Sequence, residues 1–271
     1  MEIFGFSDLS NGEDEGSDIE EVKRPKLRQS DIFMKAKPGS HPLEILPLKS
    51  AAKLNPLNGK HENLIKPPFL MIINGSVRGG KTCLISNLLF RDAFYKGVFK
   101  NIYLVSPTAH TDTSYKTFLE SDNVEIHCPT SPGEFDASIA DIMAKLGEKK
   151  DEEPEPSVIV FDDIIGLTRN GDALCNLATR YRHSNVSIII ACQYFMRLGV
   201  TIRCNATCYI IFKIQNTKEL NHILMELGSS FGDALESCYN KIFDKNKPFT
   251  FMVLDLRNRK ILEEFKNVIA E

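Results

Sequence analysis

Residues Pro67 to Asn87 read PPFLMIINGSVRGGKTCLISN, and no other stretch narrows the choice of fold as much. Phe69 to Ile73 is an uninterrupted apolar run, the pattern of a buried strand. Gly75, Ser76, Val77, Arg78, Gly79, Gly80, Lys81 and Thr82 follow and satisfy G-x-x-x-x-G-K-[ST]. From Cys83 to Phe90 the apolar positions 84, 85, 88 and 89 recur with helical spacing. A strand, a glycine-bearing loop and a helix in this order make the context in which the pattern binds phosphate. Glycines allow steep turns and a close approach to an anion, and successive N–H groups then face the phosphate oxygens beside the positive end of the helix dipole. In such a loop Lys81 bridges the β- and γ-phosphates and Thr82 holds Mg²⁺, with residues 75–83 as the nucleotide-contacting set.

Beyond this loop, short apolar runs alternate with helical patterns. The expected strands are Asn101 to Thr108, Val124 to Cys128, Ser157 to Asp163, Ser187 to Gln193, Thr207 to Ile214 and Phe249 to Leu256. The runs are apolar throughout instead of alternating, as in strands covered on both faces, so the expectation is an α/β fold whose parallel sheet is flanked by helices. Lys145 to Pro156, rich in charge and proline, reads as an exposed linker.

Two further elements carry chemistry. Asp162 and Asp163 end the apolar run Val158 to Phe161. A carboxylate at such a strand tip, beside a phosphate loop, holds Mg²⁺, which assigns Asp162 to the metal and leaves Asp163 to orient or deprotonate an attacking water. Gln193 ends Ile188 to Cys192, where an amide can touch the γ-phosphate or the lytic water. Arg180, Arg182, Arg197 and Arg203 follow the acidic pair. A guanidinium offered by an adjacent subunit stabilises charge on a transferring phosphoryl group, and Arg203 is the first choice for that role with Arg182 second.

Residues 1–65 differ in character: Glu13 to Glu21 is acid-rich, and prolines recur from Pro25 to Pro56. They read as an extended or disordered arm preceding an ATPase domain at 66–271. Within the arm, Lys23 to Arg28 reads as a solvated charge cluster, with a nuclear address or nucleic-acid contact as the alternative. Phe33, Ile45, Leu46 and Leu48 are candidates to dock it on a neighbour. With 271 residues and a net charge of −3, the chain has room for a real core and lacks a global cationic field, so any DNA contact must be local. Seven scattered cysteines fit reduced thiols, Cys204 and Cys208 lack the second pair a zinc site needs, and no apolar run is long enough to span a membrane. The acidic N-terminus does not read as a secretion signal.

The ordered series GSVRGGKT, YLVSPT, VIVFDDI, RYRHSNVSIIIACQ and TIRCNAT resembles the genome-packaging ATPases of large DNA viruses, virophages and related transposons, the poxvirus-type branch of the FtsK–HerA superfamily. The similarity runs over roughly residues 65–235. It implies a RecA-like (ASCE) P-loop core, a homo-oligomeric ring of five or six subunits, Mg²⁺-dependent ATP hydrolysis, and double-stranded DNA pumped into a preformed capsid. Capsid or portal-vertex proteins are then partners, and the place of action is the virion or its assembly site in the host cytoplasm or nucleus. Carried over by position, Lys81 and Thr82 match the phosphate-loop pair, Asp162 the metal carboxylate, Asp163 the catalytic acid, Gln193 the sensor and Arg203 the arginine finger. Many superfamily members have Glu where Asp163 stands.

Rival readings share parts of this pattern. Asp163 to Gly166 matches the D-x-x-G element of GTP-dependent switches, but the later segment from Asn216 has Thr after Asn and no Asp, so it does not form the guanine-reading N-K-x-D. A helicase, plasmid-transfer pump or chromosome translocase would share the catalytic core and differ in partner. A small-molecule kinase would need a lid and an acceptor-binding acid pair, neither of which the sequence displays.

Overall fold

A computed structural model of the chain describes residues 57, 60, 62–147, 155–168, 173–245 and 247–270. The charge cluster at 23–28 and the apolar candidates Phe33, Ile45, Leu46 and Leu48 lie outside the described residues. The elements are β1 (Leu70–Asn74), α1 (Lys81–Phe90), β2 (Asn101–Val105), α2 (Lys116–Leu119), β3 (Val124–His127), α3 (Pro132–Gly147), β4 (Ser157–Asp162), α4 (Ala173–Arg180), β5 (Val186–Cys192) and α5 (Val200–Asn205). They continue with β6 (Cys208–Phe212), α6 (Thr217–Phe231), α7 (Ala234–Phe243), β7 (Phe251–Asp255), β8 (Lys260–Glu263) and β9 (Asn267–Ala270).

The strands form one sheet in the order β3-β2-β4-β5-β1-β6-β7-β8-β9. From β3 to β6 every pairing is parallel. β7, β8 and β9 then run antiparallel to their neighbours. All seven expected strands are present, and the sheet is mostly parallel, with an antiparallel edge that periodicity did not reveal. β8 and β9 were not expected because each is only four residues long, with two or three apolar residues bordered by polar or charged ones.

Successive residues of the central strands face opposite sides of the sheet, and both sides are covered. Leu70 and Ile72 pack with Phe135, Ile139 and Leu227, so α3 and α6 lie on that face. Met71 and Ile73 pack with Leu84, Ile85, Leu88 and Leu89 of α1 on the other. This two-sided burial is the reason the runs lack a polar alternation.

Two boundaries differ from those expected. Leu64 and Ile65 are buried in the core on the α1 face, and Lys60 donates to Asp92 O and Lys96 O, both at 2.9 Å. The chain therefore joins the packed core before residue 66. Arg257, in the turn after β7, fastens this entry segment by donating to Lys66 O at 2.8 Å and to Pro68 O. Likewise α3 continues through Gly147, so Lys145 is helical and not part of a linker. Its ammonium lies 2.9 Å from Asp141, one helical turn before it, and 2.6 Å from Glu125 on β3.

Candidate nucleotide-binding site

The phosphate loop leaves the tip of β1 at Gly75, whose N–H donates to Cys192 O on β5 at 3.2 Å. A Cβ added here would sit 2.9 Å from Cβ of Phe212, so the strand tip tolerates only hydrogen at this point. Gly79 N–H closes a tight turn on Ser76 O at 3.1 Å. Gly80, at φ 97°, then swings the chain into α1, whose first helical bond runs from Leu84 N–H to its carbonyl at 2.8 Å. Arg78 also holds a left-handed φ of 58°, a conformation in which a long side chain is uncommon.

Lys81 folds back over its own loop. Its ammonium donates to the carbonyls of Gly75 and Ser76, both at 2.9 Å. Burial lowers the pKa of this lysine, and the charge of Asp162 opposes that shift.

Across the loop, β4 ends in Asp162, which is 4 % exposed. Its Oδ2 accepts a hydrogen bond from Thr82 Oγ1 at 2.8 Å and another from the Tyr115 hydroxyl at 2.9 Å. Burial raises the carboxyl pKa, while these two donors and the Lys81 charge hold it down. Ser106 Oγ supports the arrangement by donating to the Tyr115 oxygen at 3.2 Å. Asp163 follows at φ 57°, exposed, so the chain bends sharply after Asp162 and turns the second acid outward. Asp tolerates this left-handed conformation better than most residues do.

A cleft of about 500 Å³ gathers these groups. Lys81, Thr82, Asp162, Asp163 and Gln193 all line it, together with Val77 to Gly80 and Cys83 of the loop. Gln193 reaches the cleft because β5 lies between β1 and β4 and ends level with them, with Asn74 paired to Cys192 and Asp162 to Ala191. Cys192, just beneath, is inert: burial pushes its thiol up to about 12.

Arg203 departs from expectation. It is 6 % exposed, with Nε donating to Glu226 Oε1 at 2.8 Å, Nη1 to Leu198 O, and the guanidinium 5.1 Å from the centre of the Phe195 ring. All three contacts are within the chain, so the guanidinium is engaged by its own fold and would have to leave these partners to reach a neighbouring subunit. What Arg203 does is tie the segment after Gln193 to α6. Glu219 of the same helix reinforces the tie by accepting from Phe195 N–H. Arg182, the second choice, is exposed and lies 5.5 Å from the centre of the Tyr181 ring.

The sequence reading missed Tyr115 and Ser106. Both belong to the connection after β2, which ends at Val105 and not Thr108, so that Ser106 to Tyr115 bends over the cleft. The available signal was the polar run that follows an apolar strand ending beside Asp162.

A mostly parallel sheet with a phosphate loop at the tip of β1, a carboxylate at the tip of β4 and one strand between them defines a P-loop NTPase of RecA-like build. Among solved structures, the DNA-packaging ATPase B204 of Sulfolobus turreted icosahedral virus superposes with a TM-score of 0.53 at 18% identity, over 72% of this chain and 96% of that one. The genome-packaging NTPase B204 of Sulfolobus turreted icosahedral virus 2, in complex with ATP-gammaS, gives 0.51 at 16% identity, over 73% and 97%. At these identities the likeness is one of fold. The chain belongs to the family described as Poxvirus A32 protein, which matches residues 58–231. It is 28% identical over 160 residues to DNA packaging protein OPG160 of vaccinia virus strain Copenhagen, covering 56% of each chain. Its counterpart in monkeypox virus is 27% identical over 158 residues, covering 56% of this chain and 50% of that protein. The chain thus spans about half the length of the curated relatives it matches.

Proposed function

We propose that the chain is a Mg²⁺-dependent ATPase that drives double-stranded DNA into a preformed viral capsid as a homo-oligomeric ring. The observation that carries the ATPase part is the convergence of Thr82 and Asp162, 2.8 Å apart, in the cleft that also holds Lys81. A hydroxyl and a carboxylate form an all-oxygen donor pair suited to Mg²⁺, and the Cys192 thiol in the same cleft is held in its protonated form by burial. When bound there, Mg²⁺ would neutralise charge on the β- and γ-phosphates. Lys81 releases its two loop carbonyls to take the phosphate oxygens. Thr82 and Asp162 would hold the metal, with Tyr115 fixing the carboxylate. Asp163, turned outward by its left-handed backbone, orients the attacking water and accepts its proton, while Gln193 contacts the γ-phosphate end.

The packaging part is supported by family membership and by relatives named DNA packaging protein. In this reading the subunits form a ring of five or six around the duplex, capsid or portal-vertex proteins anchor it, and it works where virions assemble. The tie from Gln193 through Arg203 and Glu219 to α6 supplies a route from γ-phosphate state to the subunit's outer helices. Arg182 takes the role of the finger in trans.

The test is steady-state ATP hydrolysis by purified protein with and without double-stranded DNA, with the mass of the assembly measured in parallel. Hydrolysis that requires Mg²⁺, rises with DNA and belongs to a ring supports the proposal. Full activity in a monomer indifferent to DNA overturns the motor and leaves a simple ATPase.

A further inference from the structure

A second groove, of about 640 Å³, opens on the other side of the phosphate loop from Asp162. Gly80 and Cys83 line both this groove and the catalytic cleft, so the two are continuous across the start of α1. Its walls are aromatic: Phe212 at the end of β6, Phe251 at the start of β7, Phe265, and Phe249 at the mouth. Phe249 is 69 % exposed and has a left-handed φ of 59°, two properties that the fold's own packing does not require of a phenylalanine. Its ring reaches the loop, since a Cβ on Gly80 would lie 3.1 Å from Phe249 Cδ1.

We infer that this groove takes the purine base of the nucleotide, with Phe249 as the stacking wall. The inference rests on the proposed nucleotide site and follows from the sheet order. The metal end of the triphosphate is fixed by Asp162 on β4, and β4 and β6 lie on opposite sides of β1. A nucleotide laid across the loop with its γ-phosphate toward β4 must therefore send its nucleoside toward β6 and β7, where the groove begins.

Recognition there is chiefly by stacking and shape, and two polar side chains on the walls already have partners. Asn87 donates to Cys83 O at 2.7 Å and accepts from Arg91 at 3.2 Å, while Glu264 accepts from Lys247 at 3.2 Å and Lys266 at 2.6 Å. A site without edge-reading hydrogen bonds favours purines by their larger face and separates adenine from guanine by less than about 10²-fold.

The experiment measures affinity for ATP and for inorganic tripolyphosphate, which has no base, in wild-type protein, Phe249→Ala, Phe249→Tyr and Lys81→Ala. Loss of one base–aromatic stack corresponds to about 5- to 150-fold in affinity. Phe249→Ala should weaken ATP by an amount in that range and leave tripolyphosphate unchanged, and Phe249→Tyr should retain ATP. Lys81→Ala should weaken both ligands. Unchanged ATP affinity in Phe249→Ala, or equal loss of both ligands, overturns the base site while leaving the phosphate site intact. Wild-type protein that binds neither ligand overturns the nucleotide site and the groove assignment together.

Discussion

The hydroxyl of Tyr115 lies 2.9 Å from Oδ2 of Asp162, the oxygen that Thr82 also reaches at 2.8 Å. A residue from the connection after β2 thus orients the carboxylate through which β4 would hold the metal. Hydrogen bonds to a charged group contribute about 1.5–3 kcal/mol, enough to decide how a buried carboxylate sits.

Tyr115→Phe should fold normally, since the ring stays packed against Phe118. It should raise the Mg²⁺ concentration needed for half-maximal ATP hydrolysis by up to about 10²-fold, the upper limit that such a bond allows. A Mg²⁺ titration of hydrolysis rates checks this, and an unchanged midpoint would remove Tyr115 from the metal's support.

Asp162 bears on stability in the opposite sense to a salt-bridged acid. Its folded-state pKa is raised by burial above the ordinary value of 3.8, so the native protein binds this proton more tightly than the unfolded chain does. The associated stability is fully present below that ordinary value and is lost as pH rises through the raised one. Asp162→Asn should therefore raise Tm in EDTA at pH 8, by roughly 2–4 °C for each kcal/mol relieved, and the gain should vanish in acid. The same variant should use Mg²⁺ poorly. Thermal scans at pH 8 and below 3.8 compare the two limits.

Asp163→Asn should bind Mg-ATP and hydrolyse it about 10²–10⁴-fold more slowly, the loss expected of a general base. Asn accepts the left-handed backbone at this position, so the effect is chemical and not one of strain. Single-turnover hydrolysis alongside nucleotide affinity separates the two. If Asp163→Asn and Asp162→Asn share one Mg²⁺ dependence, the division of labour between the acids is wrong.

Arg203→Ala should lose stability first. Breaking its pair with Glu226 leaves a partly buried carboxylate unmatched, at a cost of about 3 kcal/mol, or a Tm drop of roughly 6–12 °C. Mixing Arg203→Ala with Lys81→Ala subunits should restore no hydrolysis, because Arg203 serves its own chain. Arg182→Ala mixed with Lys81→Ala should restore some, since an intact Lys81 site can then face an intact Arg182. Rescue in the first mixture would return Arg203 to the interface.

The loop, the acidic pair and the strand that ends at Gln193 were legible as positions because each is a local pattern: glycines at fixed spacing, and polar residues that end unbroken apolar runs. The burial of Arg203 was not legible because it depends on Glu226 and Phe195, partners that no spacing rule links to it. Tyr115 was invisible for the same reason, since its contact with Asp162 spans 47 positions. β8 and β9 escaped because their stability comes from pairing to a preceding antiparallel strand, and not from a continuous apolar face of their own.

The berth of Lys81 on the carbonyls of Gly75 and Ser76 shapes the energetics of a cycle. An ammonium that already has two acceptors gains, on meeting a triphosphate, only the difference between two sets of partners. Affinity is thereby moderated at the outset. When product leaves, the same carbonyls receive the charge again, so departure strands no cation in a poorly solvated hollow. A nucleotide site that is to empty before it refills profits more from such a returning lever than from the tightest possible grip.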